Sequence, residues 1–382
     1  VNRLYKTVCV VCYYSSFTCA FMDTFVHRYD LTEAMKKVRV FFAMSLVAWM
    51  HFSLSYYKRD VEHLLSMTDS FTWEELPTRD PDTGYLTKAG YIPIIQSLTK
   101  YPAGLVASFH LIQSAVRMVS NHELMLTSWF PFDISATPVY VFANLTQAIA
   151  SLFAIFINSG FPSLYATLLC VACSQLEKLT AALLDIRQTH ITNDQGSGDE
   201  TKNNDSNRQT LIFDEVFHHM RKQLNQCVRH HQDIKRYMAV LEDTMNLEMC
   251  GLFLIFLSAM CLDALSIVTN LSDIADALQG LVFYILLAGS LYVYSWLGEE
   301  LSTHAEKVSD AAWGCDWVGT PVPLQRSLIF IIATANKEFR LTAGKFVPVC
   351  NKTMMNMINQ SISVFMFLLH VRDKNTEHSQ LV

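Results

Sequence analysis

The stretch RSLIFIIATANKEFRLTAGKFVPVCNKTMMNMINQSISVFMFLLHV, Arg326–Val371, divides into two parts around a breaker. Leu328, Ile331, Ile332 and Ala335 recur at helical spacing, and Lys337, Glu338 and Arg340 close the segment. Residues 326–340 therefore predict an amphipathic helix. LTAGKFVP follows, with Gly344 and Pro348 as breakers. Residues 349–371 are then one apolar run of membrane-spanning length, stopped by RDKN. Asn356, Asn359, Gln360, Ser361, Ser363 and His370 interrupt it. Hydrocarbon offers no hydrogen bonds, so polar groups at that depth must face protein or water. A last span of this kind suits the lining of a pore.

The rest of the chain agrees with a membrane setting. Its 382 residues are 51% hydrophobic and 17% charged, with mean hydropathy +0.22, whereas soluble domains carry about 25% charged residues. The net charge of −6 argues against nucleic acid as a partner. A hydrophobic span begins almost at the first residue, Val1, so the chain is expected to lack its natural N-terminus. That opening segment has no small-x-small cleavage site and is long enough to span. Ten cysteines include two CxxC pairs, Cys9/Cys12 and Cys170/Cys173, but all four lie in apolar runs and read as small buried hydrophobes.

Seven spans are predicted: 8–26, 38–57, 98–119, 139–172, 247–269, 278–297 and 349–371. The fold class is thus all-α, a polytopic membrane protein of one domain. Gly160 and Pro162 predict a kink or break in the fourth span. Residues 190–209, rich in Asn, Asp, Gly and Ser, predict a disordered cytoplasmic loop. Polar helical extensions are expected at Gln175–Ile186, Phe213–Thr244 and Gly298–Trp317. With the N-terminus inside, 22 of the 29 basic residues fall inside and 7 outside, and 13 against 7 when the long loop before span five is discounted. This orientation puts the C-terminus outside. It also puts the Asn270-Leu271-Ser272 sequon outside, where Asn270 is a glycosylation candidate.

Several clusters invite a chemical role. Ser363, Phe367 and His370 share one face of the last span, with Met366 beside it. This face suits a pore, and it suits packing on spans five and six equally well. His218/His219 and His230/His231 could share a helix face, but no cage of Cys or carboxylates completes a metal site. No metal or other cofactor is expected, and no enzyme signature occurs. The basic stretch MRKQLNQCVRHHQDIKR reads as a calmodulin target or as a helix facing partner subunits and water.

Six stretches, in order, resemble the insect odorant receptor family. They are SWFPFD (Ser128–Asp133), QLEKL (Gln175–Leu179), CVRHHQDIKRYMAVLEDTMN (Cys227–Asn246), SWLGEEL (Ser295–Leu301), SDAAWGCDW (Ser309–Trp317) and LTAGKF (Leu341–Phe346). The sequence departs from the family in three places. Ser361-Ile362-Ser363 stands where Ser-Tyr-Ser is usual, a tail extends past the last span, and the loop before span five is long.

The resemblance implies an anchor domain at the inner ends of helices four to seven, where four subunits meet. It implies a ligand-selective subunit that joins the family's co-receptor in a hetero-tetrameric, non-selective cation channel. Its place would be the plasma membrane of olfactory sensory neurons, in contact with membrane lipid. The gate is then expected near Phe367, with Ser363, Met366 and His370 around it. A small volatile ligand is expected in the outer half of the bundle. The second span would offer Phe41, Phe42 and Met44, and the third Phe109, Ile112, Gln113 and Val116. The fourth would offer Tyr140, Ala143, Asn144 and Gln147, and the sixth Leu281, Tyr284 and Ile285. For each of these, ordinary helix packing is the competing explanation. Asn144, Gln147 and Gln113 stand out, because buried amides need partners. The alternatives are a gustatory-receptor relative, whose last-span signature is absent, and a G-protein-coupled receptor, which requires the opposite orientation.

Overall fold

The computed structural model describes residues 2–27, 29, 31–71, 76, 78–79, 84–120, 124–126, 128–132, 136–186, 202–269 and 274–380. Asn270 and residues 187–201 lie outside them. Nine helices and one small hairpin make up the described residues. In order they are α1 (Asn2–Val26), α2 (Leu31–Tyr56), α3 (Lys58–Ser70), α4 (Lys88–Ser120), α5 (Thr137–Leu184), α6 (Lys202–Thr269), α7 (Ile274–Gly314) and α8 (Val322–Ala335). The strands β1 (Thr342–Ala343) and β2 (Val347–Pro348) precede α9 (Asn351–Gln380).

Length separates the helices into two classes. α5, α6 and α7 run for 48, 68 and 41 residues. At about 1.5 Å per residue each exceeds the roughly 30 Å of a bilayer's hydrocarbon core, so each continues well beyond it. Five helices are long and apolar enough to cross a membrane: α1, α2, α5, α6 and α7. α4 and α9, which hold the third and seventh expected spans, have the length at 33 and 30 residues but are not among these five.

The core is built around α5. Residues 168–176 of α5 are buried at nine consecutive positions, so this segment is enclosed on every side rather than on one stripe. Cys170 and Cys173 are among them and act as core side chains. Tyr237 of α6 donates its hydroxyl to the Leu168 carbonyl at 3.1 Å, and Tyr165 donates to the Tyr294 carbonyl of α7 at 3.3 Å. At the same end Lys88 Nζ lies 2.5 Å from Glu300 Oε1, and Glu177 Oε1 lies 3.2 Å from His304 Nε2. Burial alone would lower the Lys88 ammonium pKa, but the bond and charge of Glu300 raise it. Burial alone would raise the Glu300 carboxyl, and Lys88 brings it below its ordinary value. The pair is therefore ionised at neutral pH, and its contribution is lost as pH falls through the depressed Glu300 value or rises through the raised Lys88 value. At the opposite end Arg39 Nε of α2 meets Asp263 Oδ1 of α6 at 2.9 Å, and Lys37 Nζ meets Asp23 Oδ2 of α1 at 2.7 Å.

The LTAGKF stretch is a tight hairpin. Gly344 and Lys345 both take positive φ, 66° and 67°, as the central residues of a primed turn must. The turn sits on α6: Gly344 N–H donates to the Asn246 carbonyl at 2.8 Å, Thr342 Oγ1 donates to Glu242 Oε1 at 2.5 Å, and Lys345 pairs with Glu242 and Asp243. The breaker seen in the sequence is thus a rigid bracket between α8 and α9.

Four boundaries differ from expectation. α5 passes through Gly160 and Pro162 as one unbroken helix, although Gly160 is exposed with open space beside it. α6 starts at Lys202, inside the stretch 190–209 expected to be loop. The helix expected at 326–340 is α8, Val322–Ala335, since Pro321 and Pro323 fit its first turn and lose nothing there. Its buried stripe is Leu324, Leu328, Ile331 and Ala335. α9 continues past the expected stop at 372–375 to Gln380.

Two glycines give opposite forecasts for one substitution. A Cβ at Gly251 of α6 would run into the Trp49 indole of α2, whose N–H donates to the Glu248 carbonyl at 3.1 Å. A Cβ at Gly289 of α7 would meet nothing. In detergent, Gly251→Ala is expected to lower the melting temperature despite its better helix propensity. Gly289→Ala is expected to hold or raise it, by up to about 1 kcal/mol of stability.

Candidate ligand cavity and pore helix

α2, α5 and α7 line an open cavity of about 530 Å³. Small residues create it. Ala150, Ala154 and Asn158 fall at i, i+4, i+8 along α5 and leave room opposite Met44, Val47 and Met50 of α2 and Phe283 and Leu287 of α7. Val106 and His110 of α4 and Leu126 of the following loop complete the wall, and Phe256 and Tyr294 also border it. None of the described lining residues is Asp, Glu, Lys or Arg; the polar ones are His110, Ser151, Asn158, Ser290 and Tyr294. Volume and lining fit an uncharged, largely apolar small molecule with a few polar groups to orient it.

Of the residues expected to bind a ligand, Met44 lines this cavity. Its carbonyl also accepts the Tyr13 hydroxyl at 2.5 Å, which seats α1 behind α2. Phe41 turns toward α1 and stacks on Phe17 at 5.6 Å. Phe42 borders a separate crevice with Arg39, Asp263 and Phe283. On α4 the inward face holds Ala107, His110 and Ser114, which leaves Phe109, Ile112, Gln113 and Val116 exposed on the other side. On α7 Leu281 and Ile285 are likewise exposed. Helix rotation, which depth along a span does not set, takes these positions away from the cavity.

The amides of α5 have a different task. Asn144 Oδ1 accepts the Met125 N–H at 3.0 Å, and Gln147 Oε1 accepts the Leu126 N–H at 3.0 Å. Gln147 Nε2 donates back to the Leu126 carbonyl at 2.9 Å. Tyr140 donates its hydroxyl to the Met118 carbonyl at 3.4 Å, and Ala143 is buried beside this turn. Together they clamp the loop that follows α4 over the cavity, with Leu126 as its apolar contact.

α9 packs against α6 and α7. Its inward positions include Met354, Met357 and the fully buried Ser361. Ser363, Met366, Phe367 and His370 lie on the exposed face turned away from those helices, with Phe367 65% exposed. Tyr284 of α7 reaches α9 rather than the cavity, with its hydroxyl 3.1 Å from Ser361 Oγ. Of the paired histidines, His218 and His219 are exposed, whereas His230 packs on Phe71. His231 is buried, and burial pushes its imidazole down to about 4, helped by Lys235 and His230. Among the described residues no three His, Cys, Asp or Glu side chains gather as metal ligands.

The profile of the 7tm Odorant receptor family matches residues 30–362. The chain belongs to that family. This odorant receptor is 22% identical over 264 residues to Odorant receptor 2a of Drosophila melanogaster, covering 68% of this chain and 63% of that one. It is 21% identical over 239 residues to Odorant receptor Or2 of Anopheles gambiae, covering 63% and 58%. The chain thus spans less than two thirds of the length of these relatives. Its fold is that of olfactory receptor OR5 of Machilis hrabei, solved in complex with eugenol, at a TM-score of 0.67 and 16% identity, over 97% of this chain and 89% of that one. Membership makes it a multi-pass membrane protein, and not an enzyme.

The odorant receptor's cavity wall was only partly visible beforehand. The alanine stripe at Ala150 and Ala154 was the available signal for a void facing bulky neighbours. Gln147→Leu should leave two backbone groups of Leu126 without partners, at a cost of about 2 kcal/mol. A lower melting temperature and faster exchange of the Leu126 amide are the expected readouts. Gln113→Leu, on the exposed face of α4, should change neither.

Proposed function

We propose that this chain is a ligand-selective odorant receptor subunit and that the 530 Å³ cavity between α2, α5 and α7 is where a volatile ligand binds. The cavity carries the proposal, because it is apolar, uncharged and of ligand size in a chain of this family. The subunit assembles with the family's co-receptor as a hetero-tetrameric, non-selective cation channel in the plasma membrane of olfactory neurons. α9 lines the pore, with Phe367 at its narrowest apolar point and Ser363, Met366 and His370 around it. A ring of apolar side chains at such a point can close a pore by excluding water. The N-terminus is inside and the C-terminus outside. The inner parts of α5 to α8 form the anchor where subunits meet.

Gating requires that the ligand favour the open arrangement, since equal affinity for both states would shift nothing. A cavity walled by α7, which also packs against α9, gives a ligand that leverage. The test is current recorded over an odorant panel with and without the co-receptor. Evoked current is expected only from the pair, and Ala154→Phe, which fills the cavity, should raise the half-maximal concentration of every agonist at least ten-fold or abolish the response. Undiminished responses in that variant, or full responses from this chain alone, contradict the proposal.

A further inference from the structure

One tyrosine and one serine connect the cavity wall to the pore helix through a pair of hydrogen bonds whose direction can be deduced. Ser361 Oγ donates its single proton to the Ile358 carbonyl at 2.8 Å. The contact between Tyr284 and Ser361 at 3.1 Å therefore has the tyrosine as donor. The relay runs from the Tyr284 hydroxyl through Ser361 Oγ to the backbone of α9. Ser361 is fully buried, so no water competes for these groups. Tyr284 is flanked along α7 by Phe283 and Leu287, which wall the cavity.

Among the described residues, the other hydrogen-bonded ties of α9 to α7 lie at its base. Asn351 N–H donates to Glu299 Oε2 of α7 at 3.3 Å, and Gly298 lies so close to Val349 that a Cβ there would strike the Val349 carbonyl. The base is thus held to α7 whatever happens farther along. Ser361 lies ten residues, about 15 Å, farther along the helix. Phe367 lies six residues, roughly 9 Å, beyond Ser361.

We propose that Tyr284 is a positioning residue for gating, whose hydroxyl carries a displacement of the cavity-walling helix α7 to the pore helix α9 through Ser361. This rests on the channel reading above. Tyr284 does not touch the ligand; it sets how far a ligand-driven shift of α7 reaches the turn that bears Phe367.

The test compares odorant-evoked currents of receptor and co-receptor complexes carrying wild type, Tyr284→Phe, Ser361→Ala and the double variant, with surface labelling to count channels. Tyr284→Phe is expected to raise the half-maximal concentration roughly five-fold, the value of one ordinary hydrogen bond. Because the hydroxyl acts on coupling, every agonist should shift by about the same factor. Leu287→Ala, in the cavity wall, should instead change the order of agonists. Ser361→Ala should reproduce the Tyr284→Phe shift, and the double variant should go no further than either. If Ser361→Ala fails to reach the surface, the uniform shift in Tyr284→Phe alone decides. An unshifted Tyr284→Phe, a shift that reorders agonists, or additive effects in the double variant overturns the inference while the channel reading stands. A silent wild-type complex overturns both.

Discussion

Lipid hydrocarbon cannot hydrogen-bond, and a polar group carried into it must be satisfied by protein. The membrane half of this receptor is arranged by that constraint. Arg39 and Asp263 join α2 to α6, and Lys37 and Asp23 join α1 to α2. Asn144 and Gln147 hold the loop that covers the cavity. Tyr284 and Ser361 join α7 to α9. Apolar side chains pack equally well at several helix rotations. Each of these pairs works at one rotation only, so they fix which faces meet.

The cavity follows from the faces so chosen. α5 is the shared wall: its C-terminal half is enclosed on all sides at residues 168–176, and its N-terminal half presents Ala150 and Ala154 to bulky residues of α2 and α7. The open cavity of about 530 Å³ follows from small residues on one helix facing the larger side chains of its neighbours. The inner end is different in kind. There Tyr165, Tyr237, Tyr294 and the Lys88–Glu300 pair lock α4, α5, α6 and α7 together.

The helical, membrane-spanning architecture was legible in the sequence because run length and polarity set it directly. The family was legible because LTAGKF and its companions mark places with strict local demands. Gly344 and Lys345 show the reason, since both adopt the left-handed backbone of a tight turn. The residues that line the cavity were much less legible. Phe109, Ile112 and Val116 lie on the exposed face of α4, away from the cavity, because helix rotation is set by contacts between distant segments. Asn144 and Gln147 were correctly marked as amides in need of partners, but the partners are backbone groups of a loop about twenty residues away. The polar interruptions of α9 illustrate both sides. Ser361 faces α7, while Ser363, two residues on, is exposed.

Photolabelling tests the cavity's role most directly. An agonist bearing a small photoreactive group would be cross-linked to the assembled receptor and the labelled peptides identified by mass spectrometry. Label is predicted on Met44–Met50 of α2, Ala150–Pro162 of α5 and Phe283–Ser290 of α7, and an excess of unmodified agonist should remove it. Displaceable label confined to the Phe109–Val116 face of α4, with none on those three segments, would contradict the account.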